Sequence, residues 1–252
     1  MALLTINRPE RLNAWTPALE AELRRAIEQA QQDDSVRCAV LTGAGRAFCA
    51  GADMDAMRAS AAPATAPSHT PELSDDDSVQ RYGYLWKFDK PLIAAINGAA
   101  IGVGLCLALY CDLRYVAAGA KLALPYARRG LVAEHGTGWL LPRLIGPHHA
   151  NDLLLTGRTF TGEEADRMGL ASLLPAEGFL DAVLQRARET AASTSPRSVR
   201  IMKRQLREAR YQTLGQATRI ADREIAACRE TEDFKEGVQH FLEKRAPRFT
   251  GR

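Results

Sequence analysis

The sequence contains no apolar run long enough to span a bilayer, because its longest candidates are broken by Asn97, Gly98 and Asp112, and a spanning helix needs about 20 apolar residues. No secretory leader is expected at its start. Its five cysteines, Cys38, Cys49, Cys106, Cys111 and Cys228, are odd in number and scattered, without a C-x-x-C pair. Neither a disulfide framework nor a zinc knuckle is expected from that spacing. A Gly-Lys-Ser/Thr phosphate loop is also missing. His148 and His149 follow Gly146-Pro147 without further ligand-type neighbours, so they read as surface or packing residues rather than metal ligands. Charge of either sign is not in excess: the net value of +3 suits an anionic ligand without requiring nucleic acid. These absences lead to the expectation of a soluble, cytoplasmic protein with no membrane association and no metal.

What is present is an ordinary globular composition, 46% apolar and 25% charged over 252 residues, enough to bury a substantial core. Leu3 to Ile6 reads as a strand. No paired strand precedes it, so either a short leading strand is absent or the natural start lies upstream. Thr16-Pro17 supplies an N-cap and an N1 proline for a helix over 17–32 with Leu19, Leu23, Ala26, Ile27 and Ala30 on one face. Val36 to Thr42 is a strand buried on both sides. Residues 58–78, rich in Ala, Pro, Thr and Ser, read as a mobile loop flanking a site or as an inert insertion. A helix over 79–88 follows, then strands at 92–96, 113–117, 121–124 and 170–174. Thr161-Gly-Glu-Glu164 carries a capping signal. Beyond residue 178 no strand signal remains, and helices are expected at 178–192, 196–211, 213–227 and 231–244. The recurring strand, strand, helix order predicts an α/β coil of such units over 1–177 and a helical region over 178–252.

The organising stretch runs from Lys90 to Asp112 (KPLIAAINGAAIGVGLCLALYCD). It reads as a buried strand, a turn at Asn97-Gly98, a loop with Gly98, Gly102 and Gly104, and an apolar helix. Free N–H groups at such a helix start can hold a developing negative charge. A dinucleotide fingerprint would place a third glycine at position 107, which is Leu107. The alternative is that Gly102 and Gly104 only permit a tight turn.

Three segments together, Asn7-Arg-Pro-Glu-Arg-Leu-Asn-Ala14, Ala47-Phe-Cys-Ala-Gly-Ala-Asp53 and Lys90 to Asp112, resemble the crotonase superfamily, the enoyl-CoA hydratase/isomerase family. The tail Phe241-Leu-Glu-Lys-Arg-Ala-Pro-Arg-Phe249 adds a fourth match. The resemblance implies a spiral of ββα units, a C-terminal helical trimerisation region, and acyl-CoA thioester chemistry. It also implies coenzyme A as part of the substrate with no permanently bound cofactor, and a homotrimer or dimer of trimers.

It implies an oxyanion hole for a thioester enolate at the N–H groups of Ala52 and Val103. Val103 would narrow the space beside the thioester. The two-carboxylate hydratases of the family have glutamates where this chain has Cys106 and Tyr126. Glu134, in Gly130-Leu-Val-Ala-Glu-His-Gly136, stands where single-base enoyl-CoA isomerases carry theirs. Burial beside an acyl chain would raise its pKa; the alternative is a structural carboxylate paired with Arg128, Arg129 or Arg143, or serving a helix cap. His135 reads as structural. For the CoA moiety the resemblance implicates Ala50, Asp53 and Met54 at the adenine, with Phe241 and Lys244 from a neighbouring subunit, while Arg8 and Arg11 of the first loop are candidate phosphate contacts.

An isomerase-type double-bond shift with a single glutamate base is therefore expected. A hydratase or hydrolase using Glu134 with an atypical partner is the alternative within the fold, and a non-catalytic CoA- or RNA-binding paralogue is the alternative outside catalysis. The basic run Pro196 to Arg210 prompts the RNA reading, but Val199, Met202, Leu206 and Ala209 form an apolar face at helical spacing. The cations then fall on what reads as a solvated face without interleaved aromatics, and nucleic acid is not expected.

Overall fold

The computed structural model describes residues 1–55, 58 and 80–252. Apart from Arg58, the expected loop over 58–78 lies outside the described residues, as does the first residue of the helix expected over 79–88. Strand β1 (Ala2–Ile6) opens the chain, and helix α1 (Pro17–Gln32) follows with the Thr16 hydroxyl accepting from the Leu19 N–H. That cap and Pro17 start the helix where local chemistry dictates. Leu23, Ile27 and Ala30 form its buried stripe.

The next elements alternate between two sheets: β2 (Ala39–Gly43), β3 (Ala47–Cys49), helix α2 (Gly83–Lys87), β4 (Leu92–Ile96), β5 (Ala99–Ile101) and helix α3 (Val103–Leu109). Then come β6 (Leu113–Ala117), β7 (Lys121–Ala123), helix α4 (Thr137–Thr156), β8 (Thr159–Thr161), helix α5 (Gly162–Arg167) and β9 (Ser172–Leu174). One sheet has the order β1-β2-β4-β6-β9, parallel throughout. The other has the order β3-β5-β7-β8, parallel except for the antiparallel β7–β8 pair. Each turn of the coil thus adds one strand to each sheet, which is the expected α/β spiral of ββα units. β2 and β4 are buried along their whole length, as strands covered on both faces must be.

The loop expected through Gly98, Gly102 and Gly104 is partly regular. β5 lies between the first two glycines, and Gly104 is inside α3. A three-residue strand carries too little alternation to be read locally. Asn97 braces this corner, its Nδ2 donating to Gly43 O and Gly45 O at 2.9 Å each. β8 ends in a capping box between Thr161 and Glu164, as the sequence indicates.

Helices α6 (Phe179–Ser193), α7 (Pro196–Glu208), α8 (Leu214–Cys228) and α9 (Glu232–Glu243) complete the chain. α6 packs Phe179, Val183, Leu184 and Ala187 against Cys38, Val40, Ile93 and Ala95 of the five-stranded sheet, so it closes the core of the spiral. The expected solvated cationic face of α7 holds for Arg200 and Arg204, which are exposed, but not for the stripe beside it. Leu206 and Met202 are 74% and 50% exposed, whereas Lys203 is 8% exposed. Lys203 Nζ donates to Asp112 Oδ2 at 2.6 Å and to Lys90 O at 2.9 Å, and the Arg207 guanidinium donates to Trp86 O. Lys203 and Arg207 adjoin Met202 and Leu206 on the helix, and carbonyls and a carboxylate at the core edge draw these two cations inward.

Asp112 also accepts the Leu92 N–H at 2.7 Å, so the Lys203 pair ties α7 to the start of β4. Burial pushes the Lys203 ammonium pKa down, and Asp112 opposes that shift. Lys203→Met is expected to lower unfolding stability by about 1–3 kcal/mol, read from urea titrations with an unchanged m-value. An unaltered midpoint would show that the pair contributes nothing.

Candidate active site

Two backbone segments from successive turns of the coil meet at one seam. The first is the loop after β3, held by Asn13, which is 0% exposed. Asn13 Oδ1 accepts the Arg8 N–H at 2.8 Å, and its Nδ2 donates to Ala44 O at 2.9 Å and Ala47 O at 2.7 Å. The Trp15 N–H donates to Gly51 O at 2.8 Å and the Asp53 N–H to Trp15 O at 3.0 Å. That bridge uses the edge shared by residues 51 and 53, so the alternation of an extended chain turns the Ala52 N–H to the opposite edge.

The second segment is the start of α3. Gly102 caps it at φ 53°, and Val103 is its first residue. A Cβ on Gly104 would lie 2.2 Å from Cys49 O, and one on Gly51 would lie 3.3 Å from Ile101 O. Only glycine at 104 lets the helix rest on the backbone of the neighbouring loop. Neither the Ala52 nor the Val103 N–H has a backbone acceptor among the described residues. Both flank this seam.

Glu134 stands in the turn that leads into α4. Its carbonyl accepts from the Thr137 N–H at 3.0 Å and the Thr137 hydroxyl at 2.6 Å. Its carboxylate lies 3.5 Å from His135 Nε2, with no arginine ion pair among the described residues. The burial expected for it is not met within a single chain, where the side chain is 40% exposed. His135 has φ 53°, and its carbonyl accepts the Tyr110 hydroxyl at 2.8 Å. Its ring meets Tyr82 edge-on with centroids 5.0 Å apart. Burial, then Arg81, holds the His135 pKa below the usual imidazole value, and Glu134 opposes this.

Cys106 and Tyr126 are 0% and 6% exposed. Burial pushes the thiol up to about 12 and raises the phenol above its ordinary range. Thr137 Oγ1 lies 3.7 Å from Cys106 Sγ and 3.4 Å from the Tyr126 hydroxyl. Both groups are therefore neutral near pH 7 and joined in one buried cluster.

Toward the other side of the Ala52 loop, Arg8 is already engaged, donating to Ala14 O at 2.8 Å and to Asp53 Oδ2 at 3.1 Å. Asp53 is buried and Met54 is 57% exposed. Ala50 is half-buried, and its N–H donates to Leu12 O at 3.0 Å. Arg11 is exposed and paired with Asp55. Phe241, 77% exposed, and Lys244, the left-handed cap of α9, lie on the helical region.

The sequence reading missed a cavity of about 390 Å³ beside His135 and Gly136, walled by Tyr82, Trp86, Tyr110, Trp139 and Tyr211. Tyr82 and Trp86 stand four apart around the start of α2, which is the local signal that could have flagged it. The other rings come from separate elements.

Gly104→Ala is expected to destabilise the fold by about 1–3 kcal/mol, since the atom in the way is backbone; unfolding titrations read it. For His135, the folded pKa lies below the unfolded value of about 6.5, so the folded state binds fewer protons. Its stabilisation is present above that pH and lost as pH falls toward the folded pKa. The drop in thermal midpoint from about pH 7 to about pH 5 should be smaller in His135→Asn, a residue that tolerates the left-handed backbone.

A family model for Enoyl-CoA hydratase/isomerase matches residues 1–252. The chain is 36% identical over 256 residues to the 1,2-epoxyphenylacetyl-CoA isomerase of Escherichia coli K12, covering 99% of this chain and 94% of that protein. It is 36% identical over 252 residues to the 2,3-dehydroadipyl-CoA hydratase of the same organism, with 99% and 95% covered. A crystal structure of an enoyl-CoA hydratase from Mycobacterium tuberculosis H37Rv superimposes with a TM-score of 0.86 at 32% identity, covering 99% and 95% of the two chains. With its coil of ββα units and the match running from end to end, the chain belongs to the enoyl-CoA hydratase/isomerase family, the crotonase superfamily.

Proposed function

We propose that this family member is a single-base enoyl-CoA isomerase, moving a double bond from C3=C4 of an acyl-CoA to C2=C3. The observation that carries the reading is the contrast between Glu134, whose carboxylate is open, and Cys106 and Tyr126, which are buried and neutral. Hydration needs one group to take a proton from water and another to supply one to carbon. A double-bond shift needs one base alone.

In this scheme the Glu134 carboxylate removes a proton from C2, and the electron pair moves onto the thioester oxygen. The dienolate oxygen is met by the N–H groups of Ala52 and Val103, preorganised by the contact of α3 with the Ala52 loop. The Glu134 carboxylic acid then returns the same proton at C4, which restores the base and leaves the conjugated thioester. His135 positions the carboxylate from 3.5 Å. Coenzyme A enters and leaves with the substrate, and no permanently bound cofactor is needed.

The CoA moiety is assigned to the Ala50, Asp53 and Met54 loop. Arg11 is its phosphate contact, while Arg8 serves mainly to brace that loop through Asp53. Phe241 and Lys244 reach the adenine from another copy in a homotrimer or dimer of trimers. Exposed Leu214, Ile225, Phe234, Val238 and Leu242 supply apolar surface for that assembly. The relatives named above include both an isomerase and a hydratase, so hydration with Glu134 and an atypical partner is the competing reading.

The experiment uses purified protein with 3-hexenoyl-CoA and crotonyl-CoA under mass spectrometry. Isomerisation of the first without mass change, and no addition of water to the second, is expected. Glu134→Gln should lower kcat by about 100- to 10,000-fold while the affinity for a saturated acyl-CoA is kept. Near-full turnover in that variant, or water addition as the main product, would overturn the proposal.

A further inference from the structure

We propose that the cavity beside Glu134 selects acyl-CoA esters ending in an aryl ring over esters with a straight alkyl chain. The inference rests on the reading of this site as an acyl-CoA site, and it names the class of acyl group. Aromatic residues are only 6% of the chain, yet two of its three tryptophans and three of its six tyrosines line this one cavity. Among the described residues the aliphatic share of the lining is Leu140. A pocket built for an alkyl chain needs no such concentration, because aliphatic side chains supply the same apolar area.

The rings form a continuous wall. Tyr82 and Tyr110 are 6.1 Å apart at 66°, Trp86 and Tyr110 are 6.2 Å apart at 80°, and Trp86 and Trp139 are 6.2 Å apart at 72°. Trp139 then stacks on Tyr211 at 5.9 Å and 17°. The wall is held from outside the cavity. The Arg210 guanidinium lies 4.7 Å from the Trp86 ring centre and 5.3 Å from that of Trp139, and Arg143 lies 4.0 Å over Trp139. Cations on those faces fix the planes of the rings. Fixed rings offer edges and faces to another ring at no further ordering cost.

Size and charge agree with this occupant. A cavity of about 150 Å³ already accepts benzene, and this one is about 390 Å³, enough for a phenyl group and the carbons that join it to the thioester. Arg81, the cation among the described lining residues, is paired with Glu20 at 2.5 Å, so among these residues a terminal carboxylate on the acyl chain meets no free charge. The position of His135 and Gly136 in the wall places the cavity next to the base, hence at the acyl end and not at the adenine of CoA.

The test uses two unreactive saturated esters of comparable apolar area, 4-phenylbutyryl-CoA and octanoyl-CoA, with CoA itself as the control, titrated calorimetrically into the intact protein. Two ring contacts, each worth about two- to tenfold, should make the phenyl ester bind about tenfold tighter or more. Trp86→Leu and Trp139→Leu should bring the two esters to near equality by weakening the phenyl ester, whereas Trp86→Phe and Trp139→Phe should keep most of the preference. The phenylalanine variants separate ring chemistry from damage to the fold. Equal or better binding of octanoyl-CoA to the wild type, or a preference that survives both leucine variants, overturns the proposal. Because neither ester reacts, the result does not depend on Glu134 being the base. Esters that bind no better than CoA would instead refute the cavity as an acyl site.

Discussion

The contact on which the rest of the site depends is the seating of α3 on the carbonyl of Cys49, allowed by the bare Cα of Gly104. Helix and loop belong to successive turns of the coil, joined by the short β3–β5 pairing at Ala47 with Ala99 and Cys49 with Ala100. Asn97 braces the corner above, and Gly98 clears the Arg46 carbonyl in the same way. Successive turns therefore lie as close as backbone allows. A pair of N–H donors built from that seam is set by main-chain packing, so the side chains at 52 and 103 can change size without moving the donors. Preorganisation of this kind is what gives such donors their catalytic value, since nothing has to reorient when the charge develops.

How much was legible in the sequence follows from how local each signal is. Helices α1, α7, α8 and α9 lie within a few residues of their expected bounds because Thr16, Ser195, Thr213 and Thr231 cap them through bonds to residues only three positions on. The three-residue strands β3, β5 and β8 were not legible, since they owe their existence to partners far along the chain. Ala52, Val103 and Glu134 could be singled out only through the family resemblance carried by the motifs around them. The aromatic cavity leaves no such mark; its rings are assembled by folding. The inward turn of Lys203 and Arg207 on α7 was missed for a related reason, as an amphipathic repeat does not say which cations meet carbonyls.

On the proposed single-base reading, the buried cluster of Cys106, Tyr126 and Thr137 accounts for the lack of a carboxylate at positions 106 and 126. A carboxylate at either of the first two positions would have to stay charged where side chains are 0% and 6% exposed, and burial without a partner favours its neutral form. A thiol and a phenol tolerate that dry setting because they are uncharged there. Their shared neighbour, Thr137, spends its hydroxyl proton on the Glu134 carbonyl at 2.6 Å. The cluster thus holds the backbone of the Glu134 turn while contributing no second titrating group. Tyr110 does the same for the next carbonyl at 2.8 Å, which helps hold His135 in its left-handed conformation.

The inward cations of α7 link that site to the outer surface. Lys203 fastens the helix to Asp112, Arg207 reaches the backbone of Trp86, and Arg210, in the following turn, lies over Trp86 and Trp139. Beside them α7 presents Met202 and Leu206, and the adjoining α8 and α9 present Leu214, Phe241 and Leu242 to the outside. α7 and the turn that follows it therefore carry both contacts to the aromatic wall and an exposed apolar surface. A second copy seated on that surface, as in the proposed assembly, would restrict the helix and, through the arginines, the rings of the cavity.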